Sequence, residues 1–154
     1  MKRLPPRAEL RVHLLDWESA RARAAPIRYT VFVEEQKVPE ESEIDDQDPQ
    51  CVHAVACDAA GRTVGTGRLL PDGHIGRMAV LKEARHLGVG SALLTALMEE
   101  ARRRGHAHAV LSAQTHAIAF YRRHGYAVVS GEYLDCGIPH VDMTCALGSP
   151  GPEN

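Results

Sequence analysis

One segment constrains the fold more than any other, because a strand pattern runs through a glycine-bearing loop directly into a long helix. The strand pattern covers 74–81, and the loop carries Arg85, Gly88 and Gly90. In the helix that follows, apolar residues recur at every fourth position, at Val89, Leu93, Leu97 and Ala101. Gly105 ends this amphipathic pattern. A strand joined to such a helix predicts an α/β unit in which the helix packs against a sheet.

The loop before this helix is predicted to bind an anion. Gly88 and Gly90 allow a tight turn and a close approach of the backbone to a ligand. The amides of residues 86–91 would then point outward at the positive end of the helix, an arrangement that suits a pyrophosphate, and Arg85 adds a formal charge. The alternative is an ordinary connection that uses glycine for packing. The loop is not a Walker loop, since no Gly-Lys-Ser/Thr follows, and Leu93 stands where a GxGxxG pattern needs its third glycine.

Short strand and helix patterns alternate along the rest of the chain. Strands are predicted over 9–15, 51–58, 63–70, 74–81, 108–113, 126–129 and 140–146. Helices are predicted from Asp16 or Ser19 to Ala25, over 27–35, before Gly105 and over 117–123. Pro26 is expected to break the first helix or to open the second, and 36–50 is expected to be a polar loop. The order predicts one mixed α/β (α+β) domain over 1–147, with a largely antiparallel sheet, a right-handed crossover and a disordered tail over 148–154.

Composition excludes several classes of protein. The formal net charge of −2 argues against a nucleic-acid binder with a broad basic surface. No apolar run reaches the length of about 20 residues that a membrane span needs, and the N-terminus lacks a signal-peptide core. We therefore expect a cytoplasmic protein that binds no membrane. None of the four cysteines forms a C-x-x-C pair, and they are interpreted as small buried hydrophobes rather than metal ligands, although Cys51, His53 and Cys57 share one face of a strand.

Three sets of residues resemble a known family. The pattern V-x4-R-x-x-G-x-G-x-x-L, which begins at Val80, resembles motif A of the GNAT superfamily of acetyl-CoA-dependent N-acetyltransferases. The segment Q-T-H-A-I-A-F-Y-R-R-H-G-Y over 114–126 is similar to the superfamily pattern N-x-x-A-x-x-x-Y-x-x-x-G-F/Y, with Gln114 in place of the usual Asn. The segments 31–39, 43–48 and 137–140 resemble the small ElaA- and YjcF-like branch of that superfamily.

This resemblance implies a GNAT-like sheet of six to seven strands flanked by about four helices, and acetyl-CoA as the acyl donor. The backbone of Met78 and Val80 should bond the pantetheine arm, at a point where the strand separates from its neighbour. Arg85 and the amides of His86, Gly88, Val89, Gly90 and Ser91 should hold the pyrophosphate, and Gln114 should contact the cofactor further along. Tyr121 stands where a phenol can protonate the leaving thiolate, although its position in A-F-Y also suits a core aromatic residue. No metal is implied.

The general base is less determined by the sequence. Glu34, Glu35, His53, His74 and His140 could each accept a proton from the amine, directly or through a water molecule. Glu35 and His140 are preferred because the branch resemblance includes both.

Charge is unevenly distributed along the chain. Residues 34–48 contain eight acidic residues and one base, Lys37. This segment could attract a cationic amine, or it could be a solvated loop. Arg68 and Arg77 could anchor an acidic group of the substrate, or they could pair with acids of this loop.

The leading hypothesis is an acetyl-CoA-dependent N-acetyltransferase that acts on a primary amine of a small molecule or peptide. The alternative is a non-catalytic acyl-CoA-binding regulatory module, which would need neither Tyr121 nor a base. Nucleic acid is not expected as a partner, and a homodimer is possible.

Overall fold

The computed structural model describes residues 10–148, so the tail predicted over 148–154 lies outside the described residues except for Gly148. The strands form two four-stranded sheets. The first sheet has the order β1-β2-β3-β4 and is antiparallel throughout. Its strands are β1 Arg11–Leu15, β2 Val52–Cys57, β3 Thr63–Leu69 and β4 Ile75–Val80. The prediction of a hairpin from the segments 51–58 and 63–70 is confirmed by the pairing of β2 with β3.

The second sheet is built around the last strand of the chain. Its strands are β5 His108–Gln114, β6 Ala127–Val128, β7 Tyr133–Asp135 and β8 Ile138–Ala146. One edge of β8 pairs with β5 and the other edge pairs with β6 and β7. The structure thus contains eight strands where six to seven were predicted, and the predicted fold class is confirmed.

The additional strand is β7, which the sequence analysis left inside a connecting segment. Its three residues are all exposed, so they show no alternation of buried and exposed positions that could reveal a strand. The strand forms because it pairs with the start of β8 across a turn in which Cys136 and Gly137 both have positive φ angles. Tertiary pairing therefore decides this element.

The helices are α1 Trp17–Arg28, α2 Glu40–Glu43, α3 Val89–Arg103 and α4 Ile118–Arg123, in addition to a π-helix, Tyr29–Glu35, that continues α1 without a break. The Asp16 side chain caps α1 by accepting a hydrogen bond from the Ser19 amide at 2.9 Å. The segment 36–50, predicted as a loop, contains α2 and a 3-10 turn, Asp48–Gln50. No helix of the described residues is long and apolar enough to cross a membrane.

The prediction that Pro26 breaks the first helix or opens the second was wrong, because Pro26 lies inside α1. A proline in a helix interior removes one backbone hydrogen bond and costs about 3 kcal/mol. The helix nevertheless continues because it buries Ala20, Ala24 and Ile27 on both sides of the proline. Packing of α1 against the sheet therefore offsets the tendency of proline to end a helix.

Helices α1 and α3 cover opposite faces of the first sheet, so neighbouring residues of β2 enter different clusters. Val55 packs with Ala20 and Ala24 of α1, whereas Ala54 belongs to the main core with Leu93 of α3. The main core extends into the second sheet through Leu111, Met143 and other side chains of β5 and β8. Helix α3 therefore packs against both sheets.

Candidate active site

The two sheets meet at one point and separate from there. Strands β4 and β5 run in the same direction and share one parallel bridge, between His74 and Val110. The Val110 amide donates to the Gly73 carbonyl oxygen at 3.3 Å. Within residues 10–148, the two strands form no further pairs, so they separate toward their carboxyl ends at Val80 and Gln114, and we call the space between these ends the cleft. This is the separation that the family resemblance implies.

A β-bulge in β4 lies on one wall of this cleft. Thr66 pairs with Ala79 and Arg68 pairs with Gly76, so Gly67 alone opposes two residues of β4. Arg77 takes a positive φ of 50° at the bulge. The bulge changes the direction of the backbone immediately before Met78, which is one of the residues predicted to contact the pantetheine arm.

The loop after β4 presents free backbone amides at the mouth of the cleft. Gly88 caps α3 with a φ of 85°, and no side chain caps this end of the helix. His86 also has a positive φ, of 67°. None of the six amides from residue 86 to residue 91 donates a hydrogen bond to the described part of the chain. This uncapped helix start is suited to an anionic ligand.

Arg85 is bonded to the backbone of β4 and to a carboxylate of the π-helix. Its Nε donates to the Val80 carbonyl oxygen at 3.0 Å, and its two terminal nitrogens each donate to a Glu35 carboxylate oxygen at 2.7 Å. The hydrogen bonds from Arg85 lower the pKa of Glu35. The predicted phosphate ligand Arg85 and the predicted base Glu35 are thus brought together as a bidentate ion pair.

Gln114 lies on the opposite wall of the cleft. Its amide nitrogen donates to the Gln36 side-chain oxygen at 2.8 Å, and its oxygen lies 2.6 Å from Nε2 of His116. Gln36 immediately follows the π-helix. It was not singled out by the sequence analysis, although it belongs to the segment V-F-V-E-E-Q that carries the resemblance to the ElaA- and YjcF-like branch.

Tyr121 of α4 packs among aromatic rings in the core. Its ring centroid lies 5.1 Å from that of Phe120 and 5.8 Å from that of Tyr126, both in edge-on contacts. Burial raises the pKa of Tyr121 to about 12, so its phenol remains protonated at neutral pH. The phenol oxygen makes no hydrogen bond to the described part of the chain.

A family comparison places these features among known proteins. The family model of the acetyltransferase (GNAT) domain matches residues 22–147. The chain belongs to the GNAT acetyltransferase family.

Relatives and solved structures agree with this assignment. A Bacillus subtilis protein named as the uncharacterized N-acetyltransferase YjcF is 44% identical over 121 residues, which are 76% of this chain and 86% of that protein. The structure of an acyl-CoA N-acyltransferase from Pseudomonas aeruginosa is similar with a TM-score of 0.78 and 31% identity, over 89% of this chain and 99% of that one. The structure of Escherichia coli ElaA is similar with a TM-score of 0.79 and 26% identity, over 88% and 99% of the two chains. The chain is therefore an N-acetyltransferase of the GNAT type that resembles the ElaA- and YjcF-like branch.

His140 lies beside Gln114 in this GNAT fold, because the two residues are paired between β8 and β5. Its Nδ1 lies 2.7 Å from the Ile138 carbonyl oxygen. A carbonyl oxygen can only accept a hydrogen bond, so in the neutral ring Nδ1 carries the proton and Nε2 keeps a lone pair. Nε2 makes no hydrogen bond to the described part of the chain.

Tyr133 of β7 packs against the His140 ring. The two rings are stacked with centroids 6.0 Å apart. The Tyr133 hydroxyl donates to the Asp142 carboxylate at 2.6 Å and also contacts the Ser112 hydroxyl. Sequence reasoning missed Tyr133 because its strand was not predicted.

The remaining candidate bases lie elsewhere. His53 is buried in the first sheet, where its Nε2 lies 2.9 Å from the Asp48 carbonyl oxygen and burial lowers the pKa of its ring. Nδ1 of His74 lies 3.0 Å from a carboxylate oxygen of Asp72 in an exposed pair. Glu34 is exposed near the end of the π-helix. Within the described residues, no group of three or more His, Cys, Asp or Glu side chains is placed to hold a metal ion.

Arg68 and Arg77 pair with acids of the 36–50 segment, which is one of the two alternatives left open by the sequence. Arg68 donates to Asp45 and to Asp48 at 2.8 Å, and Arg77 donates to Asp45 at 3.3 Å. Arg28 of α1 completes a buried cluster with Glu43 and Asp48. Half-buried or buried arginines thus neutralise three of the acids predicted to attract an amine.

Proposed function

We propose that this acetyltransferase transfers an acetyl group from acetyl-CoA to a primary amine of a small molecule or peptide, by direct attack within a ternary complex. The observation that carries the proposal is the cleft between β4 and β5, which ends beside six free amides at the start of α3. A cleft of this kind admits an extended arm, and an uncapped helix start binds a pyrophosphate. When bound, acetyl-CoA supplies an activated thioester carbonyl group.

The walls of the cleft support a role for each predicted cofactor residue except Arg85, which pairs with Glu35. We assign the amides of His86, Gly88, Val89, Gly90 and Ser91 to the pyrophosphate. The backbone of Met78 and Val80 is assigned to the pantetheine arm, and the Met78 amide to the oxygen that gains charge during attack. Gln114, on the opposite wall, is assigned to the same arm.

Tyr121 is proposed as the general acid. Its phenol stays protonated because burial raises its pKa to about 12. A phenol of this pKa is a weak acid, but a thiolate released beside it would be desolvated as well, which raises the basicity of the thiolate. A core position does not prevent Tyr121 from acting as an acid. Its ring packs against Phe120 and Tyr126, and its hydroxyl group keeps a proton that it can donate.

His140 is the better supported of the two preferred bases. Its Nε2 keeps a lone pair and has no partner among the described residues, and the ring is fixed by Ile138 and Tyr133. Both carboxylate oxygens of Glu35, in contrast, accept hydrogen bonds from Arg85. These hydrogen bonds lower the pKa of Glu35 and make it a weaker base, so we assign the proton transfer to His140.

The proposal is tested by calorimetric titration with acetyl-CoA, with coenzyme A and ATP as matched ligands. We expect binding of both CoA species and none of ATP, followed by thiol release when amines are added. Binding of CoA without thiol release from any amine would favour the alternative, a non-catalytic acyl-CoA-binding regulatory module. Failure to bind any CoA species would overturn the assignment of the cleft. A homodimer stays a prediction that sedimentation can test.

A further inference from the structure

We propose that Glu35 and Gln36 form a brace across the cleft and are positioning residues for the cofactor, an inference that rests on the proposed function. At one end, the cleft is fixed by the single bridge between His74 and Val110. At the open end, the walls belong to different sheets and share no strand pairing within the described residues. Helix α3 packs against both sheets, but at the open end the distance between Val80 and Gln114 also depends on the side chains that bridge the gap.

Two consecutive residues contact both walls. Glu35 accepts two hydrogen bonds from Arg85, which in turn donates to the Val80 carbonyl oxygen on the first wall. Gln36 accepts a hydrogen bond from Gln114 on the second wall. The chain from Val80 to Gln114 is thus continuous through side-chain hydrogen bonds, and two of them form a charge-assisted bidentate pair.

The brace has a rigid support. The preceding π-helix packs Val31 against Ala79 and Leu81, which flank Val80, and Phe32 lies against the same cluster. The backbone of the brace is fixed as well, because the Gln36 amide donates to the Val31 carbonyl oxygen at 3.0 Å. Glu35 and Gln36 are therefore held at the end of an anchored helix rather than in a free loop.

This arrangement assigns Arg85 a different role from the one its charge suggests. Each guanidinium nitrogen of Arg85 already donates one hydrogen bond within the protein, which leaves only the second N–H of each terminal nitrogen for a ligand. The pair carries no net charge. The pyrophosphate would then be bound by the free amides, while Arg85 and Glu35 keep the loop and the cleft in the geometry that binding needs.

The brace is tested by whether the Kd of coenzyme A rises or falls when Glu35 loses its charge. Glu35→Gln removes a negative charge near a site for a polyanion, so electrostatics alone would tighten the binding of coenzyme A. The matched control Glu83→Gln removes the same charge from the loop that carries Arg85, but Glu83 pairs with Arg62 and forms no ion pair with Arg85. We expect Glu35→Gln and Gln36→Ala to raise the calorimetric Kd of coenzyme A about tenfold, with Glu83→Gln leaving it unchanged or lower. Equal or tighter binding by Glu35→Gln would overturn the brace.

A charge swap separates positioning from direct contact. The double variant Glu35→Arg with Arg85→Glu restores an ion pair without a positive charge at position 85. We expect it to bind coenzyme A more tightly than either single variant, with all melting temperatures within about 3 °C of the parent. Loss of binding in the double variant equal to that of Arg85→Glu alone would overturn the brace, since Arg85 would then act on the phosphate directly.

If the parent protein itself bound no coenzyme A, the proposed function would fail, whereas normal binding by all the variants would remove only the brace.

Discussion

The guanidinium of Arg68 and the carboxylate of Asp48 lie 2.8 Å apart in the interior of the protein, and both side chains are nearly inaccessible to solvent. The same carboxylate oxygen accepts a second hydrogen bond from Arg28 at 2.8 Å. One buried acid thus joins α1, the segment after α2, and the central strand β3. This arrangement makes Asp48 the centre of the cluster that fixes the 36–50 segment to the first sheet.

Removal of the Asp48 charge is expected to destabilise the protein strongly. Asp48→Asn would leave two buried guanidinium groups without their shared counter-ion, and breaking a buried pair costs about 3–5 kcal/mol. Urea unfolding measures this loss. Glu83→Gln, which breaks the exposed pair with Arg62, serves as the control and should leave the midpoint unchanged. Equal midpoints for the two variants would show that the buried cluster does not stabilise the fold.

Acid should weaken the fold through Asp45. Hydrogen bonds from Arg68 lower the pKa of Asp45 from 3.8 to about 2. Because this pKa is depressed on folding, its stabilising effect is present above about pH 4 and is lost as the pH falls toward 2. The difference in free energy of unfolding between the parent and Asp45→Asn should therefore shrink between pH 5 and pH 2. A difference that stays constant over this range would contradict the assignment.

Gly90→Glu is expected to abolish binding of coenzyme A. The substitution places a carboxylate beside the free amides, where a pyrophosphate is proposed to lie. A Cβ at this position would approach Phe120 to 3.4 Å, which a neighbouring side chain can accommodate, so Gly90→Ala should bind within about tenfold of the parent and serves as the control. Titration calorimetry compares the two variants. Normal affinity in Gly90→Glu would remove the pyrophosphate site from this loop.

Tyr121→Phe should lower turnover far more than cofactor affinity. Loss of a general acid typically reduces kcat by about 100-fold or more, while the ring remains to pack against Phe120 and Tyr126. Tyr126→Phe is a matched control, because the buried Tyr126 hydroxyl likewise has no hydrogen-bond partner among the described residues. Thiol release under saturating substrates measures kcat. If both variants lost turnover equally, the effect would come from packing rather than from the proton of Tyr121.

His140→Gln should reduce kcat by about 100-fold and leave the Kd of coenzyme A near that of the parent, because loss of a general base affects proton transfer rather than cofactor binding. His74→Gln is the control, since His74 is exposed and paired with Asp72 away from the carboxyl ends of the strands. Thiol release under saturating substrates measures kcat for both variants, and titration calorimetry measures the Kd. An unchanged kcat in His140→Gln would return the proton transfer to Glu35 or to water.

Much of the fold could be predicted because its signals are local. The alternation of 51–70 predicted the hairpin of β2 and β3, and the four-residue spacing from Val89 to Ala101 predicted α3. The GNAT family could be recognised because its motif A is also a local signal. The positive φ at Gly88 and the uncapped start of α3 depend on a few adjacent residues.

The sequence by itself determined the strand–loop–helix unit that carries the proposed cofactor site, because backbone conformation and amphipathic periodicity are encoded over a few neighbouring residues. Only the tertiary structure decided the partners of the charged and polar side chains. Arg85 pairs with Glu35, which lies 50 residues away in the chain. Arg68 pairs with Asp45, one of the acids that the sequence analysis considered able to attract a substrate. Side-chain chemistry limits which groups can pair, but the packing of the two sheets and the π-helix determines which of them come within reach of a hydrogen bond.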